Sequence, residues 1–79
     1  MNELQSRSNR ELIEALAAIE HEQWVHWSQA TAPDVPATTR AKWQSSWLRY
    51  DELPDNLKEA DRVWARKVAG LLHERKLIQ

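Results

Sequence analysis

The sequence predicts an all-α domain of three helices with a tryptophan-rich core. Three observations carry that prediction. Apolar residues recur at three- and four-residue intervals through two long stretches, and no stretch alternates as a strand would. Prolines at 33, 36 and 54 divide the chain into three pieces. Five tryptophans (Trp24, Trp27, Trp43, Trp47 and Trp64) stand in 79 residues that hold no phenylalanine and no cysteine. An indole is a large apolar body with one N–H that needs a partner when buried. A chain near the lower size limit for independent folding has few other large side chains to build with, so the indoles are expected mainly in the core.

The first helix is expected over residues 9–30. Ser8-Asn9-Arg10-Glu11 has the capping-box spacing, a hydroxyl followed three residues later by a carboxylate. Behind it Leu12, Ile13, Leu16, Ala17, Ile19, Trp24 and Trp27 lie along one side of a 100°-per-residue wheel. The segment 31–38 holds Pro33 and Pro36 and reads as a loop. A shorter second helix is expected over 39–48, with Trp43 and Trp47 stacked at i, i+4. Residues 49–53 read as an extended connector. Pro54 suits the first turn of a third helix, where its missing N–H costs nothing. That helix carries Leu57, Ala60, Trp64, Val68, Leu71 and Leu72 and runs to about 73–76, with Gly70 as a weak point inside it. Residues 1–8 and 77–79 are then short tails, and 9–76 is one domain.

Composition narrows the function classes. The net charge is −1, so no global basic field points to nucleic acid as a partner. The charge is uneven, with a net −3 over residues 1–30 and +2 over residues 31–50. No apolar run is long enough to span a membrane, and the first residues do not form a signal peptide. The absence of cysteine removes disulfides and thiolate metal sites and suits a cytoplasmic protein. A small core without such staples often gains stability by assembly, so a homo-oligomer is a further expectation.

Chemistry is sparse. His21-Glu22-Gln23-Trp24-Val25-His26 invites comparison with the zincin motif, but its histidines are five residues apart and diverge around a helix. More informative is the set of polar residues on or beside the apolar arcs: Glu20, His21 and Gln23 on helix 1, and Asp61 on helix 3. Polar groups in such positions are paired, hydrogen-bonded or beside a pocket. They predict either a closed internal network, in which Glu20 or Asp61 accepts from an indole N–H, His21, Arg40 or Arg49, or a ligand pocket floored by Trp24 and Trp27. A row of Lys58, Arg62 and Arg66 on helix 3 offers contact to phosphate or an acidic partner, or is an ordinary solvated face that Glu59 weakens. No nucleophile sits in a catalytic context and no glycine-rich phosphate loop exists. The enzymatic alternative is a small metal-dependent hydrolase built on Glu22, His26 and Asp61 and completed by a second subunit.

Ala18-Ile19-Glu20-His21-Glu22-Gln23-Trp24, then Trp47-Leu48-Arg49-Tyr50-Asp51-Glu52-Leu53-Pro54 and the Asp61-Arg62 helix, together resemble the ryanodine-receptor repeat domain. The resemblance covers roughly residues 18–72. It departs from the family in the segment after the first helix, where the proline-containing loop replaces a glycine-aromatic stretch. What it implies is a mostly helical, non-catalytic module of the kind proposed to sense ligands or nucleotides in prokaryotes, with His21, Glu22 and Trp24 at the motif positions. The expected function is therefore a non-enzymatic binding module without a cofactor, acting through a protein partner or a small ligand. Its expected ligand contacts are Glu20, His21, Glu22, Gln23, Trp24, Trp27 and Asp61. The size and style of the chain also suit an accessory or inhibitor protein of a phage or mobile element.

Overall fold

A computed structural model of the chain describes residues 3–78, with side chains described from residue 7 onward. Helix α1 spans Glu3–Thr31, α2 spans Ala37–Gln44 and α3 spans Asp55–Glu74. Short 3-10 turns at Ala32–Asp34 and Tyr50–Glu52 join them, and no strand occurs among the described residues. The all-α class, the three helices and a tryptophan-rich cluster are as the sequence predicts.

The helix boundaries differ from the expectation for local reasons. α1 begins at Glu3, so Ser8 lies inside the helix instead of capping it. Glu3, Leu4 and Gln5 are good helix formers, and a serine and an asparagine cost only a few tenths of a kcal/mol each inside a helix already propagating. At the far end the Thr31 hydroxyl donates to the Trp27 carbonyl at 2.9 Å, and Pro33 sets the 3-10 turn that follows. Arg40 fastens this corner from α2. Its Nε donates to the Ala32 carbonyl at 2.9 Å and its Nη2 to the Val35 carbonyl at 3.2 Å.

α2 starts directly after Pro36 and stops at Gln44, four residues short of the expected end. Trp43 and Trp47 are therefore not stacked on one helix. The Trp43 ring sits edge-on to Trp24 (centroids 6.3 Å) and tilted against Trp27 (5.6 Å). The Trp47 indole instead donates to the Ser28 hydroxyl of α1 at 2.9 Å. Residues 49–53 contain a 3-10 turn between extended Arg49 and Leu53, closed by the Arg49 N–H donating to Glu52 Oε1 at 3.0 Å. Pro54 precedes α3 as its cap rather than sitting inside the first turn. At the end of α3, Lys76 takes a left-handed φ of 59°, and the Leu77 N–H reaches back to the Leu72 carbonyl at 2.8 Å. The Lys76 N–H bonds the His73 carbonyl, which completes a Schellman ending.

α1 and α3 form the main interface, and alanines let them approach closely. Ala17, Ala65 and Ala69 are buried, joined by Leu53 from the connector and Ala32 from the first turn. The tryptophans are less buried than a tryptophan core requires. Trp27 is 53% exposed and Trp64 55%, while Trp24, Trp43 and Trp47 are half-buried. The apolar supply of the sequence was read correctly, but one layer of two helices with a short third offers too little cover for it. The molecule is accordingly extended, 48 × 24 × 14 Å, with a radius of gyration of 15.1 Å where a compact domain of this length has about 12 Å.

Candidate functional site

The second half of α1 brings Glu20, His21 and Trp24 to the side that meets α3, because residues three and four apart share a helix face. From α3 come Leu57, Ala60, Asp61 and Trp64, and the connector adds Ser46 and Leu53. Together they line a cleft of about 320 Å³. Its walls are the two indoles and the leucines, and its polar groups are two carboxylates, an imidazole and a hydroxyl.

His21 is buried and ties α1 to the segment that follows α2. The Leu48 carbonyl can only accept, so the 2.7 Å contact to it requires a proton on Nε2 of the imidazole. The other ring nitrogen, Nδ1, stands 3.5 Å from Asp61 Oδ2, and a hydrogen bond there needs a second proton on one of the two groups. Burial pushes the Asp61 carboxyl above its ordinary value of 3.8; His21 pulls it back and the neighbouring Glu20 raises it further. The imidazole also stacks on Trp24, with centroids 5.9 Å apart and planes at 23°. Asp61 thus faces His21 within the cleft, while Glu20 makes no hydrogen bond or ion pair with a described residue.

The remaining candidates lie elsewhere. Glu22 and Gln23 are exposed and line a wider groove of about 970 Å³ with Ile19, Val25, His26 and the Trp47–Asp51 segment. Trp27 stands against Trp43 beyond the cleft. Glu22 and His26 share this groove, but Asp61 lines the cleft, so the three residues named for a metal-dependent hydrolase are not brought together. Among the described residues, no three His, Cys, Asp or Glu side chains converge to hold a metal ion.

The Lys58, Arg62 and Arg66 row is committed within the chain. Arg62 grips Glu14 with two hydrogen bonds, at 2.7 and 3.0 Å, and reaches Asp55 at 2.9 Å. Arg66 does the same to Glu59 at 2.6 and 3.1 Å, and Lys58 lies over the Tyr50 ring at 5.5 Å. The guanidinium contacts hold Glu14 down to about 2, from an ordinary 4.5, and keep Glu59 low as well. A phosphate at this row would have to compete with these carboxylates for the two guanidinium groups.

Sequence reasoning missed two residues that tie together the elements around the cleft. Glu14 joins α1 to α3 and to the connector, because the Tyr50 hydroxyl also donates to it at 2.5 Å. Burial and this carboxylate push the Tyr50 hydroxyl up to about 12. Ser28 is fully buried, donating to the Val25 carbonyl and accepting the Trp47 N–H. The available signal was spacing: Glu14, Ala17, His21, Trp24 and Ser28 step along α1 by three and four, the seam facing a partner helix.

No protein family, curated protein or solved structure compared with the chain matches it. No described helix is long and apolar enough to cross a membrane.

Proposed function

We propose that this chain is a non-enzymatic recognition module whose cleft takes a cationic group, the guanidinium or amine of a partner protein's basic side chain or of a small ligand. One observation carries the reading: Glu20 and Asp61 stand in the same cleft as the Trp24 and Trp64 indoles. Carboxylates in a cleft that two indoles also line suit an organic cation, which gains both charge pairing and ring-face attraction. The Trp64 ring already takes one such contact within the chain, since Lys67 Nζ lies 4.5 Å from its centroid. A bare nucleotide phosphate is disfavoured in this cleft by the same two carboxylates.

The resemblance to the ryanodine-receptor repeat domain supports a non-catalytic module, and two of its motif residues, His21 and Trp24, line the cleft. A cytoplasmic setting suits the cysteine-free composition. Calorimetric titration with an arginine-containing hexapeptide and its glutamate counterpart tests the proposal. The basic peptide binds and the acidic one does not, and Glu20→Gln weakens the basic peptide by about tenfold, the scale of one charge-assisted contact. Equal binding of the two peptides, or wild-type affinity in Glu20→Gln, removes the cleft from consideration.

A further inference from the structure

We propose that two copies of this chain pair through an apolar stripe on α3. Leu57, Trp64, Val68 and Leu71 follow one another at intervals of seven, four and three residues, the spacing of a helix–helix seam. They are 37%, 55%, 38% and 50% exposed, so the seam has no helix laid along it. α2 does not supply one: it contributes no buried residue, and its aromatic contacts are to α1.

Area identifies the occupant. The chain exposes 5980 Å² at a mass of 9.3 kDa. A folded monomer of that mass exposes about 5000 Å². The surplus, about 1000 Å² per chain, is close to the roughly 800 Å² that each partner of a standard protein interface buries. A second copy therefore supplies the missing cover without any other component, and an isologous contact buries the same stripe on both chains. Residue size favours an antiparallel pair, because each α3 presents a bulky Trp64 beside a smaller Val68. A two-fold axis midway between residues 64 and 68 sets the bulky Trp64 against the smaller Val68 of the second copy.

This pairing does not depend on what the cleft binds. Leu57 and Trp64 border both features, but Val68 and Leu71 belong to the stripe alone, and the test uses them. Sedimentation equilibrium from micromolar to several hundred micromolar chain should give a dimer. Val68→Glu and Leu71→Glu weaken it by on the order of a hundredfold, as charges placed at the centre of an interface do. Both positions face solvent in the single chain, and circular dichroism of each variant shows whether its helices are retained. A wild-type chain that stays monomeric throughout overturns the proposal. So does a helical Leu71→Glu that dimerises like the wild type. Glu20→Gln serves as the control: it leaves the dimer intact, so failure of the cleft reading and failure of this one are separable.

Discussion

Ser28 shows how much of this small fold rests on single polar side chains. With no exposed surface, its hydroxyl both donates to the Val25 carbonyl and accepts the Trp47 indole N–H. Ser28→Ala leaves that N–H without its acceptor and should cost about 1–3 kcal/mol, read as a lower midpoint in chemical denaturation. Glu14 is the second such residue, and its effect depends on pH. Its carboxylate is stabilised in the folded chain, so its contribution is complete above about 4.5 and disappears as the pH falls towards about 2. Tyr50 is held protonated, so its contribution is complete below about 10 and disappears as the pH rises through about 12. The raised Asp61 works in the opposite sense, costing stability once the pH exceeds its ordinary 3.8. Glu14→Gln should therefore be less stable than wild type at neutral pH and lose less on acidification, which urea melts between pH 2 and 7 would measure. Parallel acid limbs in the two proteins would show that the Arg62–Glu14 contact does not act as described.

At the scale of elements, the class and the order of the helices were legible in the sequence because proline and apolar periodicity are local signals. The ends were less legible. Ser8 has capping chemistry, yet the good helix formers before it carry α1 back to Glu3. Trp47 has helical spacing from Trp43, yet α2 stops at Gln44 and Trp47 finds Ser28 instead, a contact 19 residues away in sequence. The site was legible in part for the same reason. Glu20, His21, Trp24 and Asp61 could be chosen as polar or aromatic residues on inward arcs, whereas Ser46 and Leu53 reach the cleft only through the path of the connector. Gln23, placed on the arc by the helix wheel, and Glu22, named by the resemblance, line the wider groove instead, because neither signal reveals which flank of an arc the neighbouring helix covers. α3 offers a direct check on helix energetics. Gly70 is exposed in the helix interior, and a Cβ added there would meet nothing within 4 Å. Gly70→Ala should raise stability by about 0.5–1 kcal/mol, measured by thermal or urea unfolding. A loss of stability would mean that Gly70 is covered in solution.

The whole molecule is an extended pair of helices with a small third helix at one end, and its apolar residues exceed what that arrangement can bury. In the single chain Trp64, Val68 and Leu71 are left exposed on α3, and Ile19 and Trp27 on α1. This is why five tryptophans did not translate into a closed core: the area argument from composition assumes enough layers to cover each indole. The same shortage leaves an open, indole-walled cleft with Glu20 unpaired beside Asp61, and that cleft is the centre of the functional account. The most direct test is a ¹H–¹⁵N spectrum of the indole N–H groups during titration with the arginine-containing peptide, since the five tryptophans report from five places. The account predicts that the Trp24 and Trp64 signals move with a common saturation curve while Trp47, bonded to Ser28 outside the cleft, stays in place. Movement of Trp47 without Trp24 and Trp64, or no movement at all, would contradict it.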